Sequence, residues 1–248
     1  MRVRKNRWLT KISKHTGESE VSTAVEILVD SFRTSGETLS TLVYQLGIQE
    51  ILCEPLPFDG GVYEIHGKRI IRINSLAPPI RQTFTLAHEA GHLILERSVK
   101  GASSCSADND LERACNCVAA ELLMPARQVT KVADELGRQS PEKLSPIANR
   151  FGVSLQTAAQ RLHDLRLWKW GMGMWKCEPM AKQKWFVGKR PWKTDTPTLS
   201  AFDLAIESSS PVRTTEHISK GAYTEAVALK AYHIGKQFVI AVVATAGQ

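Results

Sequence analysis

The sequence predicts an α+β chain: a helical core with a small mixed sheet, a helix-turn-helix-like pair, and a small α+β C-terminal appendage. Three observations predict it. The run Phe84-Thr85-Leu86-Ala87-His88-Glu89-Ala90-Gly91-His92-Leu93-Ile94 is apolar at helical spacing on two sides, which places a helix inside a domain. Ahead of it, Glu50–Cys53, Gly61–Ile65 and Arg69–Ile73 are short and β-rich. Asp59-Gly60-Gly61 and His66-Gly67-Lys68 supply turns between them. Beyond it, Leu144 to Leu165 has helical periodicity on both sides of Gly152.

In order, the chain opens with Arg2, Arg4, Lys5, Arg7, Lys11 and Lys14 and no acid among residues 1 to 14. This basic arm, 1–19, suits nucleic acid or an acidic partner, and equally suits a solvated terminus. It lacks a following apolar core, so it does not read as a secretory signal. No run approaches the ~18 apolar residues of a membrane span, so no membrane role is expected. The formal charge is +7 over 248 residues, long enough for one large domain or two small ones. Five cysteines, an odd number without a scaffold pattern, suit a reducing cytoplasm. Val25, Leu28, Val29 and Phe32 then follow three-and-four spacing, and Thr38 to Leu46 reads as a second helix stopped by Gly47. The sheet comes next, antiparallel at its second turn, and feeds through Pro78-Pro79 into the apolar helix.

That helix carries the chemistry. His88 and His92 are four residues apart, so both imidazoles project from one face and can bind one zinc ion. Glu89 lies one residue round, where a general base can reach a metal-bound water without being a ligand. Ile80, Phe84, Ala87, Gly91 and Leu95 form one apolar stripe, and Leu86, Ala90, Leu93 and Ile94 a second. Two histidines and a glutamate buried between them are costly unless bonded to something. A catalytic zinc needs a third protein ligand and an open position. The acidic stretch from Asp108 to Pro125 offers it. Glu112 and Glu121 are nine residues apart and face opposite ways, so one alone points at the metal. Asp108 shares the face of Glu112 and is its rival. Asn116 sits one turn after Glu112, placed to orient a ligand, and Glu121 is expected on the solvent side. Cys115 and Cys117 form a metal or redox pair on one reading and small core residues on the more ordinary one. His and carboxylate ligands also accept manganese, iron or cobalt.

His88-Glu-Ala-Gly-His92, followed by Glu112-Arg-Ala-Cys-Asn116-Cys-Val-Ala-Ala-Glu121-Leu-Leu-Met-Pro125, resembles the ImmA/IrrE family of metallopeptidases. Gly60-Gly61-Val62, Ile71-Arg72-Ile73-Asn74 and Arg81-Gln82 fit the same template, and the resemblance covers roughly residues 20 to 166. Cys115, Cys117 and Val118 depart from the family pattern without removing a ligand. The resemblance implies a zincin-like core over 20–126, with His88, His92 and Glu112 as zinc ligands and Glu89 as catalytic base. It also implies limited cleavage of a partner protein, typically a helix-turn-helix repressor of stress or mobile-element genes. In a zincin the sheet runs beside the cleft, where its edge can hold substrate as an added strand. Tyr63 and His66 are candidates for stabilising the oxyanion, although a surface or cross-strand role is the commoner one for such residues.

The helical segment 127–167 carries Gln156, Gln160 and Arg161 on its second helix, starting at Ser154. Recognition of DNA by that helix is the sharp reading. Packing through Ile147, Phe151, Val153, Ala158, Leu162 and Leu165 is the favoured one. In the appendage, 168–248, Trp168, Trp170, Trp175, Trp185 and Trp192 interleave with lysines and arginines, a composition able to stack on single-stranded nucleic acid or to form an interface with a charged rim. Leu199–Glu207 and Lys236–Thr245 read as strands and Tyr223–Ile234 as a helix, in a unit with a regulatory or partner-binding role. Two functions follow: a zinc-dependent endopeptidase, or a DNA- or partner-binding regulator with a structural or vestigial zinc site.

Overall fold

The computed structural model describes residues 19–98, 109–137, 139–177, 182–188, 200–208, 210–220, 223–234 and 238–245. The basic residues Arg2 to Lys14, the rival ligand Asp108, and Trp192 lie outside them. The chain forms two compact units, Met1–Gln128 with Phe151–Ser154, and Val129–Arg150 with Leu155–Gln248.

The first unit opens with helices α1 (Ser19–Ser35) and α2 (Leu39–Gln45). Thr38 caps α2, its hydroxyl accepting from the Thr41 amide at 3.2 Å. Strands β1 (Glu50–Glu54), β2 (Gly60–Ile65) and β3 (Lys68–Asn74) form a sheet in the order β1-β3-β2. β1 runs parallel to β3 and β2 antiparallel to it. The β2–β3 turn is His66-Gly67, both at positive φ, 51° and 74°. Glycine adopts that region freely, which explains its place in so tight a turn. Helices α3 (Pro79–Ser98) and α4 (Asn109–Leu123) pack on one another, and α3 also packs on α1, α2 and the sheet. Ile71 and Ile73 project from the sheet into a core with Val25, Val29, Val43, Leu93, Ile94 and Val118. Burying side chains of this size contributes roughly 1.5–3 kcal/mol each, so α3 is fixed by what surrounds it.

Helix α3 meets α4 unusually closely. A Cβ on Gly91 would stand 3.0 Å from the Cys115 carbonyl oxygen and 3.1 Å from its Cα. Glycine between the two histidines therefore lets the second helix come within reach of them.

The α3 stripe departs from expectation at its first turn. Ile80, placed by spacing on the buried face, is exposed. Glu121 departs in the other direction. It was expected to face solvent, yet it is 3% exposed. Helix α5 (Ala126–Leu136) begins directly after Met124-Pro125, and Glu121 Oε1 accepts the Ala126 amide at 3.1 Å. A carboxylate at a helix N-terminus satisfies an orphan donor and meets the positive end of the dipole.

The second unit contains a 3-10 turn (Pro141–Lys143), helices α6 (Leu144–Phe151) and α7 (Leu155–Asp164), strands β4 (Gly171–Lys176) and β5 (Lys182–Val187), helix α8 (Ser200–Glu207), and strands β6 (Val212–Lys220), β7 (Tyr223–Ile234) and β8 (Phe238–Thr245). The sheet is antiparallel in the order β5-β4-β8-β7-β6. Two elements reverse the sequence expectation. Residues 200–207 are a helix, because Phe202, Ala205 and Ile206 share a helical face that packs on β7. Residues 223–234 are a strand, because its apolar residues alternate: Leu229 and Ala231 enter the same core while Lys230 and Tyr232 point the other way. Burial separates the tryptophans from the lysines. Trp168, Trp175 and Trp185 are buried, Trp175 packing on Phe202 with centroids 4.9 Å apart and the rings tilted by 43°. Lys182 and Lys184 point outward beside them. Of the described tryptophans, Trp170 alone is exposed, so the expected aromatic-basic surface is instead a core with solvated lysines. Helix α7 packs on β5, and Arg161 is 2% exposed. A side chain sealed there is withdrawn from any DNA groove, whereas Gln156 and Gln160 remain at the surface.

Candidate metal centre

Helix α3 presents His88 and His92 one turn apart, and α4 brings Glu112 opposite them. The three ligand-type atoms converge. His88 Nε2 lies 3.1 Å from His92 Nε2, 3.2 Å from Glu112 Oε2, and His92 Nε2 lies 3.3 Å from Glu112 Oε1. Ligand atoms bound tetrahedrally at ~2.0–2.2 Å stand ~3.3 Å from one another, so this triangle matches a single zinc-sized cation. Two imidazole nitrogens and a carboxylate are also the donor chemistry such a cation takes. Among the described residues these three are the group that could hold a metal ion. Cys115 and Cys117 are not part of it. Cys115 is buried, and burial above all, then the Glu112 and Glu89 carboxylates, pushes its thiol far above the ordinary range. Such a thiol is inert core.

Each histidine is prepared for binding. His88 Nδ1 donates to Asn116 Oδ1 at 3.0 Å, which leaves the Nε2 lone pair aimed at the cluster. Burial, and then the neighbouring His88, hold the His92 pKa below the ordinary imidazole range against the pull of Glu112. The ring is therefore neutral and free to donate its lone pair. Glu112 is the exposed member, with 57% of its side-chain surface open, so the cluster faces solvent on that side.

Glu89 stands behind the histidines and is buried. Burial raises its pKa most, with Glu112 adding to the rise, while His88 and a hydrogen bond from the Val62 backbone amide oppose it. A carboxylate with a raised pKa is a better proton acceptor near neutral pH. The nearness of the Val62 amide to Glu89 also locates the sheet. The Asn74 amide donates to the Asp59 carbonyl at 2.8 Å, which sets the β2–β3 alternation. By that alternation Gly61 and Tyr63 pair with β3 through their peptide groups, whereas Gly60, Val62 and Glu64 turn theirs to the free side of β2. The edge of β2 therefore runs beside Glu89.

Tyr63 and His66 fall elsewhere. The Tyr63 ring lies under Arg72, 5.3 Å from the guanidinium carbon, on the sheet face opposite Val62. His66 occupies the turn, four residues and ~13 Å beyond Val62 along the strand. Spacing alone missed Gly91 as the residue that sets the helix separation and Val62 as the amide beside Glu89. The glycine inside the motif was the available signal for the first, and nothing in the sequence marked the second.

Residues 46–163 match the Peptidase_M78 family, described as the IrrE N-terminal-like domain. The chain is 33% identical over 117 residues to the radiation response metalloprotease IrrE of Deinococcus radiodurans, covering 44% of this chain and 35% of that one. It is 30% identical over 136 residues to the protein of the same description from Deinococcus deserti, covering 52% and 48%. The chain thus spans less than half the length of these curated relatives. A solved Mycobacterium tuberculosis transcriptional regulator shares the fold at a TM-score of 0.53 and 14% identity, over 97% of this chain and 80% of that one.

Proposed function

Residues 46–163 belong to the IrrE N-terminal-like family, whose curated relatives are described as metalloproteases, and on that premise we propose that this chain is a zinc-dependent endopeptidase. The observation that carries the reading is the convergence of His88 Nε2, His92 Nε2 and the Glu112 carboxylate at 3.1–3.3 Å, with buried Glu89 beside them. His88, His92 and Glu112 would hold the zinc, which supplies a polarised scissile carbonyl and an acidified water. No helix of the described residues is long and apolar enough to cross a membrane.

The chain's own residues do the rest. Glu89 accepts a proton from the attacking water on its carboxylate and delivers it to the leaving amine nitrogen as the C–N bond breaks. The nearby Val62 amide favours the charged form of the carboxylate. Asn116 holds the His88 ring in one tautomer and orientation. The free edge of β2 receives an extended substrate as an added strand, with the peptide groups of Gly60 and Glu64 available to it. An extended segment fits that edge and a folded domain does not, which favours limited cuts in exposed loops of a partner protein. The resemblance in the two motifs makes a helix-turn-helix repressor of stress or mobile-element genes the proposed partner, in the cytoplasm.

A substrate trap tests this. Tagged Glu89→Gln and wild type are expressed in the native cell, and retained proteins are identified by mass spectrometry. A DNA-binding regulator held by the variant and cut by wild type supports the reading. The second reading, a DNA- or partner-binding regulator, takes its support from the name of the Mycobacterium tuberculosis fold neighbour. The burial of Arg161 and the placement of Glu89, which a structural metal site does not use, count against it. It prevails if both forms retain the same nucleic acid and no cleaved species appears.

A further inference from the structure

The peptidase reading leaves one surface unused. Among the described residues, Phe58, Leu76 and Ile80 are exposed at 44%, 75% and 47%, although they are large and apolar. They lie on two loops and a helix start that are laced together. Asn74 Oδ1 accepts the amides of Leu56 at 3.2 Å and Leu76 at 3.0 Å, and the Ser75 amide donates to the Glu54 carbonyl at 2.9 Å. Arg81 Nη2 donates to Asp59 Oδ2 at 2.7 Å, tying the neighbour of Ile80 to the neighbour of Phe58. Gln82 Nε2 donates to the Ala77 carbonyl at 2.7 Å and closes the same corner. Pro55, Pro57, Pro78 and Pro79 are exposed around it. Prolines stiffen the backbone and offer no N–H, so this corner presents a rigid rim that binds by apolar contact rather than by hydrogen bonds.

The rim is continuous with the edge strand beside Glu89, and two independent paths give its distance. From Phe58 to Val62 is four residues, of which the strand proper begins at Gly60 after a bend at 57–59, so the span is at most ~13 Å. From Ile80 to Glu89 is nine residues of helix, ~13–14 Å. An extended substrate lying on the β2 edge covers that distance in about four residues. We propose that Phe58, Leu76 and Ile80 form a specificity site for a large apolar residue of the substrate, three to five residues from the scissile bond and on one side of it. The site selects extended segments carrying such a residue at that interval, and it rests on the peptidase reading above.

The test uses the full chain loaded with zinc, wild type and Leu76→Asp, on a peptide library made by tryptic digestion of a bacterial proteome, with new termini sequenced by mass spectrometry. Zinc content and circular dichroism of the two proteins are compared in parallel. The proposal expects Leu, Ile, Phe or Met to be enriched in wild-type cuts at one position in that window, and the enrichment to vanish in Leu76→Asp. The kcat/KM for peptides carrying the residue falls about tenfold or more, and for peptides lacking it stays unchanged. Cleavage without the enrichment, or an enrichment that survives in Leu76→Asp and equally in Phe58→Ser, overturns the specificity site and leaves the peptidase reading standing. An unchanged profile with an altered oligomeric mass overturns it in favour of contact between copies of the chain. Absence of cleavage by zinc-loaded wild type overturns the peptidase reading and this inference with it.

Discussion

Gly91→Ala tests the closeness of α3 and α4. A methyl there would meet backbone, the Cys115 carbonyl oxygen at 3.0 Å and its Cα at 3.1 Å. Backbone cannot rotate away as a side chain can, so the helices must part by roughly 0.4–0.5 Å to reach ordinary contact. Helix propensity favours the substitution by about 0.8–1.0 kcal/mol. Overpacking opposes it by about 1–3 kcal/mol, and the lack of any adjustable neighbour decides the sign. The expected outcome is a net stability loss of up to about 2 kcal/mol by urea unfolding of the metal-free protein. Metal affinity is the sharper readout. Glu112 lies one turn before Cys115 on the same helix, so the displacement is carried to the ligand triangle. Sites of this kind tolerate ~0.5 Å of error, and the zinc Kd measured by chelator competition is expected to rise at least tenfold. Wild-type zinc affinity in Gly91→Ala, with equal or greater stability, would refute the close-approach argument.

Other expectations follow from the same contacts. Asn116→Ala removes the partner of His88 Nδ1 and should weaken zinc binding ~10–100-fold while leaving the unfolding midpoint of the metal-free protein nearly unchanged. Glu121→Ala deprives the Ala126 amide of its acceptor and should cost about 0.5–2 kcal/mol in denaturant unfolding. In the second unit, Lys230 Nζ lies 3.1 Å from Glu142 Oε1, and Ser140 bonds both. Burial opposes the Glu142 charge, but Ser140, the backbone and Lys230 prevail and hold its pKa below the ordinary 4.5. A depressed folded pKa gives stability that is present above the unfolded value and lost as pH falls through the folded one. The stability difference between wild type and Lys230→Met should therefore be full above about pH 5 and shrink from pH 4.5 downward. A difference independent of pH would contradict it.

The legible part of this chain is the part where chemistry or period constrains residues tightly. His88, Glu89 and His92 could be placed on one helix from spacing alone, and the second turn of the first sheet from His66-Gly67. The third candidate ligand needed more, because spacing left Glu112 level with Asp108. Glu121 is buried where its carboxylate accepts the Ala126 amide, a contact that local polarity does not reveal. The strand at Tyr223–Ile234 was illegible because Glu225, Ala226, Ala228, Lys230 and Ala231 are good or tolerated helix formers, and cross-strand pairing with β6 and β8 outweighs that preference. The Trp-rich segment misled for a related reason. Composition shows aromatic and basic residues together, whereas the fold buries Trp168, Trp175 and Trp185 and leaves Lys182 and Lys184 at the surface.

The central claim is that His88, His92 and Glu112 hold one catalytic metal and that Glu89 acts beside it without binding it. Native mass spectrometry of zinc-loaded wild type, His88→Ala, Glu112→Ala and Glu89→Gln measures this directly. The account predicts one zinc per chain in wild type and in Glu89→Gln, and loss of it at the same free zinc in the other two. Zinc retained equally by His88→Ala or Glu112→Ala, or lost from Glu89→Gln, would contradict it.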